Sequence, residues 1–467
     1  MILTLINAIF LNLSCKALTA DYPISLLKLS EDSTLLRIYP KLVGTETILH
    51  GRIGGIATTS VFIITLVAPL VGYLLHKKHL PALPTYLLTA GVCILSVLAG
   101  FKYPIFLSAE QWRYIMSAYV FLACWIPVWL IMQPRDFVNV QILYGGLLVI
   151  LFGVFISGLK GQTLSADFLA WEQGNRLAGP IWPVLLITVA CGAISGFHSL
   201  ASTGTTVKQI SSEQDVRRVG YNAMILEGAL ALLTLLLVAT ALPAKEYFQI
   251  VFPHGQDGNS ILAFSMAMGY MLNGIFSIPI AIGAVLGILV IEGFVVTTLD
   301  TAVRLCRYML EELWTFLAGG KPAKILLHPV FNTGLAVALM LIFALNSTIM
   351  SAWKIFGAGN QLIGALALTV ASVWLLQRGR SYWFAMIPAV IMTLTTFAML
   401  GLFIFNNLSS TFSGPLVVSY KEKTPLVFAS ILLLILAVGV VIVAVGKFKE
   451  LRSKPESGKA LGEELGA

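Results

Sequence analysis

The sequence predicts an all-α polytopic membrane protein of about 12 transmembrane helices, and three observations carry that reading. Of 467 residues, 58% are hydrophobic and only 11% charged, less than half the charge of an ordinary soluble domain, and the mean hydropathy is +0.88. Runs free of Asp, Glu, Lys and Arg recur, each long enough to cross about 30 Å of hydrocarbon at about 1.5 Å per residue. The 30 Lys and Arg outnumber the 22 Asp and Glu and favour one set of loops. This composition excludes a cytosolic enzyme, a nucleic-acid binder and a disordered scaffold, and the basic excess orients helices instead of binding phosphate.

The elements follow in order. The first 18 residues lack a basic n-region and carry Lys16 at the far end, so they read as a membrane helix and not as a signal peptide. The connection from Lys16 to Arg52 alternates Leu/Ile clusters with charges and is expected to lie on the membrane surface as an amphipathic helix. Residues 53–75, 83–101, 114–134, 137–159, 355–377 and 424–446 are single spans. Residues 381–420 hold a span to about 405 and then a Ser/Asn-rich external loop, and 325–353 hold a span at 329–346. Two spans carry one acid each, 220–242 with Glu227 and 278–299 with Glu292. The transporter-like domain is thus 1–450, and 451–467 is a polar cytoplasmic tail. The loops after even-numbered helices collect 17 Lys/Arg and the others 13, of which five lie between Lys16 and Arg52 beside four acids. Both termini are therefore expected in the cytoplasm.

Two segments do not fit simple spans. Residues 177–207 contain no Asp, Glu, Lys or Arg over 31 positions, about 47 Å if helical, so the segment must bend, break or exit. Its middle, CGAISGFHSLASTGTT, supplies Gly192, Gly196 and Gly204 as breakers and Ser195, Ser199, Ser202, Thr203, Thr205 and Thr206 as hydroxyls. Broken helices at membrane depth line cavities, and transporters place substrate and ion sites there; the structural alternative is close helix packing at a small-xxx-small pair, Gly192 and Gly196. The second segment, 258–291, splits into a short re-entrant or interfacial helix over 261–276 and the span that follows.

The remaining candidates each have two readings. His198 is a proton carrier or substrate contact, or a neutral imidazole on a carbonyl freed by the break. Glu227 is a coupling-ion ligand or proton site, or an intramembrane acid that is paired, neutral or facing water. Glu292, Asp300 and Arg304, with Arg307 and Glu311 one further i,i+4 step along, form a solvated ladder of ion pairs at a cytoplasmic mouth or a gate. Arg135 and Asp136, after Trp125 and Trp129, are a charge pair fixing topology at a cytoplasmic turn or part of a cytoplasmic gate. Asn360 and Gln361, after Gly357 and Gly359, either cap a bent helix start or line the permeation route. The five cysteines form no Cys-x-x-Cys pair and the six histidines are dispersed, so no metal and no cofactor is expected. The absence of a P-loop leaves coupling to H+ or Na+ in place of ATP hydrolysis.

Four strings carry a resemblance to a known family: PVWLIMQPRDF from Pro127, ITVACGAISGFHSLASTGTTVKQI from Ile187, LDTAVRLCRYMLEEL from Leu299 and IFGAGNQLIGALAL from Ile355. Together they resemble the carbon starvation protein A (CstA) family of bacterial inner-membrane transporters. The resemblance implies a helical core similar to the amino acid-polyamine-cation transporters and uptake of peptides or pyruvate during nutrient limitation, coupled to a cation gradient. It also implies a Gly/Pro-rich broken helix ahead of the helix that here begins at Met1, and this sequence shows no such string. The chain is similar to the later two-thirds of the family, so a separate polypeptide carrying the missing helices is an expected partner beside the lipid bilayer, the substrate and the coupling cation. Half of a split transporter, and a non-transporting sensor or accessory subunit, are the alternatives; a membrane enzyme comes third.

Overall fold

The computed structural model describes residues 2–31, 33, 35–43, 46–78, 81–164, 171–253, 258–346, 349–409 and 420–453. Helix α1 (Ile2–Leu18) is buried along most of its length. Three short strands follow, β1 (Asp21–Pro23), β2 (Arg37–Val43) and β3 (Glu46–Arg52), in an antiparallel sheet of order β1-β3-β2. The surface helix expected between Lys16 and Arg52 is therefore not formed. In RIYPKLV, Ile38 and Leu42 alternate with Arg37, Tyr39 and Lys41 at a period of two, which suits a strand and not a helix. The sheet is tied by Asp21, which accepts from the Tyr39 hydroxyl at 2.6 Å and Lys41 Nζ at 2.8 Å and lies 2.9 Å from His50 Nδ1.

Helices α2 (Gly54–His76), α3 (Ala82–Lys102), α4 (Ala109–Ala123) and α5 (Met132–Leu159) come next. A reciprocal Ser108–Gln111 capping box starts α4. It stops at Ala123, so residues 114–134 are not the single span the sequence suggested. The chain continues as α6 (Trp171–Ala178), α7 (Leu186–Ala193), α8 (Gly196–Ala201), α9 (Glu213–Ala241), α10 (Ala244–Val251), α11 (Ser260–Phe276), α12 (Ile280–Leu317), α13 (Pro329–Asn346), α14 (Ile349–Gln377), α15 (Trp383–Leu408) and α16 (Tyr420–Ser453). Among the described residues, eight helices are long and apolar enough to cross a membrane, namely α2, α3, α5, α9, α12, α14, α15 and α16, and α1, α11 and α13 are shorter apolar helices. The protein is a multi-pass, all but wholly helical membrane protein. Of the expected spans, 114–134 and the segment 177–207 are not single helices. The loop expected to be external after Leu408, from residue 410 to 419, and most of the tail after residue 450 lie outside the described residues.

The chain forms two compact units. The sheet-bearing unit, Leu3–Leu169 with Ala229–Leu345, is built around the α11–α12 pair. The short 261–276 helix expected from sequence is α11, and it is a core element, buried from Ile261 to Leu272 with few breaks. Its close approach to α12 depends on small residues: a Cβ on Gly283 would lie 2.7 Å from Gly269 Cα, and one on Gly287 2.7 Å from Ser265 Cα. Around this pair, Met266, Ala267, Ala284, Val285 and Ile288 are fully buried. The broken-helix unit, Met1–Ile2 with Ala170–Gly228 and Asn346–Ala467, packs α7, α8, α15 and α16 on α14. In both units the outer helix faces expose large apolar side chains, such as Leu95, Phe155, Ile387 and Val443, as lipid-facing surfaces require.

Candidate functional site

In the broken-helix unit, α7 ends at Ala193, two residues leave the helix, and α8 begins at Gly196. Ser195 takes an extended conformation (φ −86°, ψ 113°) and caps α8, its hydroxyl accepting from His198 N at 3.2 Å. The break is held from α14. Asn360 Oδ1 accepts from Phe197 N at 2.6 Å and from the Ser195 hydroxyl at 3.4 Å. A Cβ on Gly196 would overlap the Asn360 carbonyl and Gly364 N, and one on Gly357 would lie 2.7 Å from the Ile187 carbonyl. Glycine is required at both because backbone meets backbone there. After α8 the helix widens into a π-helical turn over Ser202–Thr206, the irregularity that often accompanies function.

The structure gathers several expected site residues around this break. Asn360 is fully buried and Gln361 nearly so, and Asn360 Nδ2 and Gln361 Oε1 have no hydrogen-bond partner. A buried donor and a buried acceptor are thus left open beside unwound backbone. His198 Nδ1 lies 3.9 Å from Glu227 Oε1, and both side chains are about half exposed. Within their own turns Ser199 donates to the Gly196 carbonyl, Ser202 to that of Ser199 and Thr203 to that of Leu200, so their protons are spent on the helix. The small-xxx-small pairing is also incomplete, because Gly192 is open, with nothing within 4 Å of an added Cβ. Gly204 belongs to the π-helical turn, and the side chain of Thr205 lies outside the described residues. Phe197 and Gly364 were not singled out from sequence, and Gly357 was noted only as preceding the amides; the seven-residue spacing of Gly357 and Gly364 in GAGNQLIG was the available signal.

The charged residues of the sheet-bearing unit form a buried cluster, not a solvated ladder. Arg135 is fully buried and donates to Asp300 and to the Tyr119 hydroxyl. Its other terminal nitrogen reaches Thr297 Oγ1 at 3.2 Å and Asp136 Oδ1 at 3.3 Å. Tyr119 donates to Asp300 at 2.9 Å and Thr297 to Asp136 at 2.8 Å. Arg135 lies inside α5, whose first turn contains Pro134, so it faces α12 and not a surface turn. Asp300 therefore pairs with Arg135, not with Arg304. Arg304 donates to the Ala123 and Ile126 carbonyls, both at 2.9 Å, and Arg307 to the Cys124 carbonyl at 3.0 Å. These guanidiniums satisfy the carbonyls that α4 leaves open at its end, which is why the chain can leave the helix at Cys124. Arg307 also lies 3.6 Å from Glu311. Glu292 makes no ion pair among the described residues; its Oε1 accepts from the Ser14 hydroxyl. Tyr119 and Thr297 were not singled out from sequence, since neither residue type marks a charge cluster.

Outside the spans, burial pushes the Asp21 carboxyl up, but the bonds to His50, Lys41 and Tyr39 outweigh it and hold the group well below the usual carboxylate range. Burial and the Asp21 bond push the Tyr39 phenol up to about 12.

Known proteins match along most of this framework. The peptide transporter CstA of Bacillus subtilis (strain 168) is 27% identical over 378 residues, covering 73% of this chain and 61% of the relative. The peptide transporter CstA of Campylobacter jejuni is 28% identical over 342 residues, 62% of this chain and 48% of the relative. The pyruvate/proton symporter BtsT of Escherichia coli (strain K12) is 26% identical over 364 residues, 63% of this chain and 51% of the relative. The chain spans about half to three-fifths of the length of these relatives. No solved structure matches it. The family described as carbon starvation protein CstA matches residues 1–261 and 254–399, a stretch that includes the break at Ser195, the buried Arg135–Asp300 pair and Asn360, and the chain belongs to that family.

Proposed function

We propose that the chain is the membrane core of a secondary active transporter for peptides or pyruvate, driven by H+ or Na+. The observation that carries this reading is the α7–α8 break, pinned by Asn360 and flanked by open amide atoms at Asn360 and Gln361. Interrupted helices free backbone donors and acceptors that bind carboxylates and small cations, and a carboxylate is common to pyruvate and to peptides. Gly192, Ser195, Gly196, His198, Ser199, Ser202, Thr203, Gly204, Thr205, Glu227, Asn360 and Gln361 form the substrate or ion pathway, with the oxygens of the three helix-bonded hydroxyls acting as acceptors. The Arg135, Asp136, Asp300 and Arg304 cluster is the gate, because it joins α4, α5 and α12 through charges that cannot be buried apart. The protein works as a carrier and not as an enzyme, in a bacterial inner membrane with both termini cytoplasmic, as the 17 to 13 division of basic residues supports. The relatives are longer than this chain, and a partner in the same membrane would take part in transport.

The test is uptake of labelled pyruvate and labelled small peptides into right-side-out vesicles of the native host, which contain any such partner, with pH and Na+ gradients imposed separately. Uptake that depends on the chain and on either gradient supports the reading. Equal uptake in vesicles lacking the chain, under every gradient, ends it.

A further inference from the structure

Glu292 lies in α12 and is fully buried. Its Oε1 accepts one hydrogen bond, from the Ser14 hydroxyl of α1, and its Oε2 has no partner. The elements around it offer no counter-charge. Helices α2 and α11, packed on α12, contain no Asp, Glu, Lys or Arg; their titratable residues are the phenols Tyr73 and Tyr270 and, at the last position of α2, His76. On α1 the titratable residues are the Cys15 thiol and Lys16, whose Nζ donates to the Gly258 carbonyl at 2.8 Å. On α4, Arg113 donates to Asn12 Oδ1 at 2.9 Å. On α5, Arg135 and Asp136 are taken up by Asp300 and Thr297. Further along α12, Arg304 and Arg307 hold the end of α4, with Glu311 beside Arg307. The short turn Lys324–Leu327 brings Lys324.

An ionised carboxylate at this depth needs a cation or several donors to replace its hydration, and Glu292 has one hydroxyl. A proton on Oε2 removes the charge with no other change in the surroundings. We propose that Glu292 is a proton-binding site of this chain, which carries its proton in the buried arrangement seen here and releases it when the contact between Ser14 and Glu292 opens to water. In that step the O–H bond on Oε2 breaks, its electron pair stays on the carboxylate and the proton passes to water. The route for water is the Ser14 stripe of α1. Asn7, two turns away at i, i+7, is fully buried with both amide atoms unpartnered, and a water entering along that stripe would satisfy them. That this proton drives transport rests on the proposed function; that Glu292 binds it does not.

Infrared difference spectroscopy on the purified full chain at neutral pH separates the two. The wild type is expected to show the C=O stretch of a protonated carboxylic acid, sensitive to deuterium. Glu292→Gln should lose it, and Ser14→Ala should shift it to higher frequency by removing the hydrogen bond to the acid. A wild type without the band, a band surviving in folded Glu292→Gln, or, should that variant fail to fold, a band unmoved by Ser14→Ala overturns the site. In vesicles, Glu292→Gln is expected to keep substrate exchange and lose accumulation driven by a pH gradient. Retained proton-driven accumulation, or accumulation driven by Na+ alone in the wild type, overturns the coupling role. Vesicles in which the wild type transports nothing contradict the proposed function and leave the infrared band to decide the proton site.

Discussion

Asn360 Oδ1 accepts from Phe197 N at 2.6 Å, so a side chain of α14 holds the first peptide group inside α8. This one bond takes up a donor that the break in the helix would otherwise leave buried and unpaired. Asn360→Ala is expected to cost about 1–3 kcal/mol, the penalty of an unsatisfied buried donor, while Asn360→Asp keeps an acceptor at the same place and is expected to retain more of the stability. Thermal melting of the purified variants in detergent gives the order; equal melting of Ala and wild type would remove the pin.

The two glycines of the break differ in kind. Gly196→Ala drives a methyl group into the Asn360 carbonyl and Gly364 N, whereas Gly192 faces open space. Overpacking costs about 1–3 kcal/mol, so Gly196→Ala should melt early and Gly192→Ala should match the wild type or exceed it slightly, since alanine is the better helix former. Parallel melting curves check both, and a reversed order would show that α14 does not meet α8 at Gly196.

The Arg135–Asp300 pair should behave as a buried charge pair. Arg135→Met leaves Asp300 with only the Tyr119 hydroxyl, and breaking such a pair by removing one partner costs about 3–5 kcal/mol. The double variant Arg135→Met/Asp300→Leu removes both charges and should recover much of that loss. A double-mutant cycle in melting free energy measures it, and simple additivity of the two single losses would mean the groups act independently.

Asp21 gives a pH dependence with a definite sign. Its folded carboxyl is held below the range of an unfolded aspartate by His50, Lys41 and Tyr39. The resulting stabilisation is complete above the ordinary carboxylate range and is lost as pH falls below it towards the folded value. The protection factors of the β1–β3 amides, taken relative to the intrinsic exchange rate at each pH, should therefore fall on acidification in the wild type, and Asp21→Asn should show lower protection at neutral pH with a flatter acid response. Equal exchange in the two proteins at neutral pH would show that Asp21 does not hold the sheet.

Much of the helical framework was legible because hydrocarbon imposes length: α2, α3, α13 and α15 fall within a residue or three of the charge-free runs that announced them. Residues 114–134 misled because the carbonyls freed at Cys124 are satisfied by Arg304 and Arg307, about 180 positions away in sequence, and no local pattern reports a distant donor. The strands from Asp21 to Arg52 were masked for a similar reason, since their alternation is short and their charges find partners in the sheet and its neighbours, Lys41 on Asp21, Arg52 over the Tyr39 ring and Arg37 over the Phe106 ring. At the site, glycine and hydroxyl density located the break. It did not show that Asn360 would pin it, nor that Ser199, Ser202 and Thr203 would turn their protons back onto the helix.

Glu227 and Gly192 sit where the fold tolerates change, the one half exposed beside His198 and the other facing open space. That makes them the sharpest probes of a pathway at the break. The decisive measurement is gradient-driven uptake of labelled pyruvate and labelled small peptides by native vesicles carrying the wild type, Glu227→Gln or Gly192→Leu, each at matched membrane content and melting temperature. Uptake by the wild type with at least a tenfold loss in both variants, about 1.4 kcal/mol in transport barrier, is the expected result. Uptake undiminished in both would contradict a substrate or ion pathway through the broken helix.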